Sequence, residues 1–318
     1  MITNAFRRLQ AAGQVAVKVV LTDDTDRFKR AKREMNLFRM FHGHKHICTM
    51  ITGIAVDAAN GISARCVCVF PFYELGTVQD LLESDKRGFT HRLPAAAHPC
   101  LLFEHAVDMA KDVLAGLECM HQNKIVHRDI KPGNICVELL PSTEQPRLRY
   151  IIIDLGASVC IQLRPASSES KSQSSLASAV GFTGQYTSLA GLKLPLGTVP
   201  FMSPEQIDND RTVDAKSDVF SFGVTLYTCL CGRFPFVQPD ATYDDKRLAL
   251  RLIKAYADSA KKADPLKIPS TDAHAHAVRD LVEVVMMSLR KSPSERYHSA
   301  SAMQAQIERI NRCVRRCG

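Results

Sequence analysis

Val126 to Asn134 reads Val-His-Arg-Asp-Ile-Lys-Pro-Gly-Asn, which brings a carboxylate, an ammonium and a carboxamide (Asp129, Lys131, Asn134) close together in the chain. Pro132 and Gly133 interrupt any helix and predict a tight loop, so the three polar heads can point into one pocket. There the carboxylate can orient a hydroxyl nucleophile, the ammonium can neutralise a phosphate, and the amide oxygen can ligate a hard cation. Two other residues have the chemistry to join them. Lys18 stands in Val15 to Val20, where alternation puts Val15, Val17 and Val19 on one face and Ala16, Lys18 and Val20 on the other. A lysine on an apolar face needs a partner or an aqueous cleft, unless it is an edge lysine that deters aggregation. Asp154 ends the apolar run Leu148 to Ile153, and an acid at the exit of a buried strand implies a cation or a donor.

The elements that must position these groups follow from periodicity. Phe28 to Phe41 reads as an amphipathic helix with Phe28, Ala31, Met35, Phe38 and Phe41 down one side and Glu34 bordering that stripe. Cys66 to Phe70 is a buried strand, Pro71 to Gly76 an irregular connector, and Thr77 to Leu82 a helix. Ser84 to Cys100 reads as a surface loop. Leu101 to His121 is a long core helix that delivers the chain to Val126. Ile135 to Leu140 and Leu148 to Ile153 read as strands around a turn at Pro141 to Pro146. Asp218 opens a helix apolar on nearly every side, and further helices run to about residue 313, with loops at Phe234 to Asp244 and Ala263 to Asp272. A serine-rich stretch, with eight serines between Ala166 and Ala190, reads as an insertion.

Composition narrows the classes. The 318 residues are 46% hydrophobic and 23% charged, as in a soluble globular protein, and can bury a large core. No apolar run approaches the roughly 18 residues needed to span a bilayer. The N-terminal residues lack the apolar core of a signal peptide, and neither terminus carries a lipidation motif. Eleven cysteines in apolar segments point to reduced thiols and to the cytoplasm, with the nucleus as the other compartment they suit. Cys313 and Cys317 sit one helical turn apart with no second ligand pair nearby. His42, His44, His46 and Cys48 are dense enough to raise zinc, but the spacing fits no standard finger. The net charge of +8 comes without a block of five like charges, so it reads as solvated surface, with no nucleic-acid or membrane partner.

Taken together, the motifs resemble the eukaryotic protein kinase family, serine/threonine type. Val126 to Asn134 resembles its catalytic loop, Val15 to Lys18 its phosphate-binding strand, Asp154-Leu155-Gly156 its metal-binding triplet with Leu155 where Phe is more usual, and Gly197 to Glu205 the end of its activation segment. The resemblance implies an α+β, bilobal protein-kinase-like fold: a small β-rich N-lobe with one helix at 1–72, and a larger, mainly helical C-lobe at 73–318 with the serine-rich insertion at about 160–195. It implies Mg²⁺ and ATP as cofactors, and protein serine or threonine hydroxyls as substrates. Asp129, Lys131 and Thr198 would be catalytic, Thr198 bonding to both of the others. Lys18, held by Glu34, would bind phosphates; Ala16, Phe70, Cys136 and the Tyr73 backbone N–H would surround adenine; Asn134 and Asp154 would hold metal. Glu205 would pair with Arg296 as a buried strut, and Asp218 would tie its helix to the catalytic loop. Arg128 implies a cationic pocket for a phosphorylated activation loop, with Thr183, Thr187 and Ser188 as candidate sites for autophosphorylation or an upstream activating kinase.

One departure stands out. The family's Gly-x-Gly-x-x-Gly loop should precede Lys18, and the residues before it contain one glycine, Gly13; residues 4–9 would be the tail of the strand that follows that loop. The N-lobe sheet is then truncated, with the Lys18 strand at its edge, and the chain is either part of a longer protein or weakly active. The alternative function is a pseudokinase or scaffold that binds partners through the C-lobe.

Overall fold

The structure, a computed structural model, describes residues 13–59, 62–83, 101, 103–140, 147–161, 198–207, 213–236 and 275–317. Its N-terminal part is a three-stranded antiparallel sheet in the order β1 (Val15–Thr22), β3 (Ala64–Pro71), β2 (Thr52–Val56), with helix α1 (Thr25–Met40) packed on one face. The register aligns Lys18 with Cys68 and Gly53, and Val20 with Cys66 and Ala55, so these residues share the α1 side. The opposite face holds Val17, Val19, Leu21 and Ile54, all more than half exposed. Among the described residues β1 is an edge strand.

The stripe expected on α1 is buried: Phe28, Ala31, Met35 and Phe38, with Phe41 at the C-cap. The helix starts earlier than its apolar periodicity indicates, because the Asp24 side chain accepts the N–H groups of Asp26 and Arg27 and caps it. Strand β2 has no counterpart in the sequence reading. Its five residues include Gly53, and their alternation is too short to separate from a loop.

Below the sheet, α2 (Val78–Glu83) precedes α3 (Phe103–Gln122), whose buried side includes Ala106, Val107, Ala110, Val113, Leu114, Leu117 and Met120. Short β4 (Ile125–Val126) pairs with β7 (Val159–Cys160), and β5 (Ile135–Leu140) forms a hairpin with β6 (Arg147–Ile152). Pro132 and Gly133 do not exclude helical geometry. Pro132 opens a single 3-10 turn, Pro132–Asn134, where its missing N–H costs no bond. The C-terminal helices are α4 (Pro204–Ile207), α5 (Ala215–Cys231), α6 (Ala275–Ser288) and α7 (Ala300–Cys317). Asp218 does not open α5; Asp214 caps it through the Lys216 N–H, and Asp218 lies one turn in. Gly223 lets α6 approach α5, since a Cβ there would lie 2.0 Å from Ser288 Oγ.

Several sequence readings lie outside the described residues: the strand tail at 4–9, the loop at Ser84 to Cys100, the turn at Pro141 to Pro146, the serine-rich stretch with Thr183, Thr187 and Ser188, Gly197, the loops beyond Phe236, and the Cys313 and Cys317 side chains. Among the described residues, no helix is long and apolar enough to cross a membrane. None of their His, Cys, Asp and Glu side chains form a metal-holding group of three or more, the histidines after α1 included.

Candidate active site

Two polar clusters are tied together through the backbone, where the Ile153 N–H, next to Asp154, donates to the Asn134 carbonyl at 3.0 Å. In the upper one, Lys18 Nζ lies 2.6 Å from Glu34 Oε1 and 3.3 Å from Asp154 Oδ1. Burial works against the Lys18 charge, but the two carboxylates outweigh it and hold the ammonium above its ordinary range. Burial raises the Glu34 carboxyl, and Lys18 only partly offsets this. Asp154 goes the other way. Burial opposes its charge, yet Lys18 and the Gly156 N–H, 3.2 Å from Oδ1, hold it below the usual carboxylate range. On acidification Glu34 therefore takes up a proton first, and Asp154 remains the anion. Asp154 has φ 59°, a left-handed conformation uncommon for a non-glycine residue and frequent at functional sites. Leu155, fully buried, anchors this turn from the apolar side.

The lower cluster centres on Asp129. Its Oδ2 accepts from Lys131 Nζ and from Asn134 Nδ2, both at 2.9 Å, while Oδ1 accepts the Thr198 backbone N–H at 2.7 Å. Lys131 Nζ also donates to Thr198 Oγ1 at 2.5 Å. Thr198 thus reaches Lys131 through its hydroxyl and Asp129 through its main chain, a division of labour invisible in sequence. Asn134 Nδ2 further donates to the Asp129 carbonyl at 2.8 Å, which leaves the amide oxygen as acceptor. An amide oxygen and a carboxylate held anionic are hard oxygen donors, of the kind a divalent cation takes.

Buried groups hold the loop from below. Asp218, with no exposed surface, accepts the backbone N–H groups of His127 and Arg128 and a bond from His121 Nε2, each at 2.8 Å. Burial opposes its charge, but His121, His127 and the Arg128 N–H keep it below the usual range. Gln206 Nε2 donates to the Arg128 carbonyl at 3.0 Å. Together they hold Arg128 at φ 71°. Glu205 and Arg296 form a two-pronged pair at 2.7 and 2.9 Å, and Ser217 Oγ adds a bond to Glu205.

Toward the connector, Phe70 meets Phe38 of α1 edge-on at 4.8 Å, and Ala16 pairs with Phe70 across β1 and β3. The Tyr73 side chain turns into the core, its hydroxyl 3.8 Å from Cys48 Sγ. Cys136 bridges Thr77, and burial pushes its thiol up to about 12, so it stays protonated.

Two contributors escaped the sequence reading. His121 supports Asp218 from α3, across 97 residues of chain. Burial presses on the Arg128 charge and Asp218 supports it, while Arg33, buried next to Glu34, opposes it more weakly. Arg128 Nε and Nη1 are buried with no partner among the described residues. Arg33 belongs to a helix rich in exposed cations, so its sequence context carries no sign of its burial.

Comparison with known proteins follows the same lines. A family model described as the protein kinase domain matches residues 4–307. Among the similar proteins are the serine/threonine-protein kinases PknB of Mycobacterium leprae and of Mycolicibacterium smegmatis, 26% and 27% identical over 308 residues, covering 96% of this chain and 40% of each relative. PrkC of Bacillus subtilis, also a serine/threonine-protein kinase, is 25% identical over 243 residues, 76% of this chain and 31% of its own. The chain spans about two fifths of the length of the PknB relatives.

Proposed function

The chain belongs to the protein kinase family, and from that premise we propose that it transfers the γ-phosphoryl group of Mg-ATP to serine and threonine hydroxyls of proteins. Asp129 orients the substrate hydroxyl and receives its proton. Lys131 neutralises charge on the transferring group, and Thr198 fixes Lys131 against Asp129. Lys18, aimed by Glu34, binds phosphate oxygens, while Asn134 and Asp154 would hold Mg²⁺. The metal would supply charge neutralisation when bound. Ala16, Phe70, Cys136 and the Tyr73 backbone serve the adenine. Residues 1–72 act as the upper lobe and 73–318 as the lower, and the protein works on cytoplasmic protein substrates.

The observation that carries this reading is the convergence on Asp129: an ammonium, a carboxamide and a backbone N–H all bond one carboxylate that is 12% exposed. Such a carboxylate is fixed in direction yet open on one side, which positions a nucleophile in a reaction whose transition state needs little base strength. Arg128, with Arg33 beside it, is suited to receive a phosphate from the activation segment. That phosphate would pair with the buried Arg128 Nε and Nη1, which have no partner among the described residues.

The test is radiolabel transfer from ATP to a generic basic protein with parent and Asp129→Asn chains. The reading expects a rate loss of about 10²-fold or more with nucleotide binding retained. Equal rates would remove Asp129 from the mechanism.

A further inference from the structure

Away from the cleft, the exit of α1 gathers a second set of titratable groups. Here the chain turns through His44, Lys45 and His46, and three bonds fasten the turn to β6. The His46 carbonyl accepts the Ile152 N–H at 2.9 Å, the Cys48 N–H donates to the Ile152 carbonyl at 2.8 Å, and His46 Nδ1 lies 3.3 Å from the Tyr150 carbonyl. Behind them stands Asp112 of α3. Its Oδ2 accepts the Tyr150 N–H at 3.0 Å and lies 3.6 Å from His46 Nδ1. Gly116 permits this approach, because a Cβ there would meet the His46 carbonyl at 3.0 Å and Ile152 Cδ1 at 2.8 Å. Beyond β6 comes Asp154, and α1 carries Glu34. The fastening therefore joins the two elements that bring carboxylates to Lys18.

A carbonyl and a carboxylate both face His46 Nδ1, so that nitrogen carries the proton of the neutral ring. A second proton must enter at Nε2, and the resulting imidazolium faces Asp112. We propose that His46 is a proton-operated latch: protonation turns its neutral contact with Asp112 into an ion pair and tightens the hold of the α1 exit on β6.

The surroundings bound the window in which the latch acts. His44 Nδ1 accepts the His46 backbone N–H at 3.2 Å, and the two rings are 5.9 Å apart. A proton on His44 would remove that acceptor and set like charges side by side. Burial, and then the neighbouring His46, hold His44 below the ordinary histidine range, which delays this loss. Asp108 and Lys111, the other charged groups around Asp112, lie 3.4 Å from each other and largely offset. Burial raises the Asp112 carboxyl more than the Tyr150 N–H and His46 lower it. The ion pair thus needs a protonated His46 beside an ionised Asp112, and it fails when Asp112 takes up its proton.

The test is a double-mutant cycle of His46→Gln and Asp112→Asn, read by urea unfolding at about pH 7.5 and about pH 6.0. Gln keeps a donor toward the Tyr150 carbonyl, and Asn keeps an acceptor for the Tyr150 N–H. The coupling should be about threefold or more stronger, as an equilibrium ratio, at the lower pH. Coupling that is unchanged or weaker there overturns the latch. Should a His46 variant fail to fold, ring-proton NMR on the parent and Asp112→Asn chains decides. The His46 ring signal should move between about pH 7.5 and 5.5 in the parent and in a manner altered by Asp112→Asn; a signal unmoved over that range, or moving identically in both chains, overturns the proposal.

Discussion

Lys18 and Arg296 each hold a glutamate, Glu34 and Glu205, yet the Lys18 side chain is 43% exposed and that of Arg296 not at all. Arg296 uses every arm. Nε bonds the Arg290 carbonyl, Nη1 bonds Glu205 and the Lys216 carbonyl, and Nη2 bonds Glu205 and the Lys291 carbonyl, while the guanidinium stacks on Phe220 at 4.8 Å. Such a group is saturated and has nothing left to offer a ligand. Lys18 divides one ammonium between two carboxylates, and Asp154 is itself 45% exposed. A divided, wet ion pair contributes little to stability but can exchange a carboxylate for a phosphate. The same residue chemistry thus makes a strut where it is dry and a binding group where it is open.

Mutations can break or sharpen that contrast. The largest effect expected is from Arg296→Met, which strands Glu205 in the interior and should cost roughly 3–5 kcal/mol in urea unfolding. A loss below about 1 kcal/mol would dissolve the distinction between the two pairs. Asp218→Asn comes next, at roughly 1.5–3 kcal/mol, since a buried anion with three donors becomes a poorer acceptor. The Asp218 carboxyl is depressed in the folded chain, so its contribution is present above the ordinary aspartate range and lost as pH falls through the folded value. An acid titration of stability should therefore flatten in the variant.

Smaller effects should come from the cleft. Lys18→Met should change stability by no more than about 1 kcal/mol while removing nucleotide-induced stabilisation; a larger loss in unfolding would make Lys18 a strut. The smallest difference separates the two glutamates. Glu34 is raised when folded, so what it contributes is greatest below the unfolded glutamate range and falls away as pH rises through the folded value. Glu205 is depressed, against the pull of burial, by Arg296 and Ser217, and its contribution is kept at neutral pH. Glu34→Gln should be near neutral at pH 7 by thermal unfolding, and Glu205→Gln clearly destabilising.

The sequence made local patterns legible and hid what depends on distant partners. Val126 to Asn134, Lys18 and the apolar stripes of α1 and α3 can be seen because residue type and spacing lie within a few turns of one another. Alternation in Val15 to Val20 cannot say which face is covered, and the face that carries Val17 and Val19 proves exposed. His121 and Arg33 could not be read, since each is defined by a partner far along the chain, and the expected Thr198–Asp129 bond hid that its donor is the main chain. The starts of α1 and α5 were misplaced for a different reason. Asp24 and Asp214 cap turns that precede the apolar repeat, and periodicity begins only where burial does.

The most direct test of the open cluster as a nucleotide site is the melting temperature of parent and Asp154→Asn chains with ATP, with and without Mg²⁺. At a hundred times Kd, ligand should stabilise the parent by about 2.7 kcal/mol, a rise of several degrees at roughly 2–4 °C per kcal/mol. The account predicts that this rise depends on Mg²⁺ and is lost in Asp154→Asn. The same rise in both chains, or none in the parent, would contradict it.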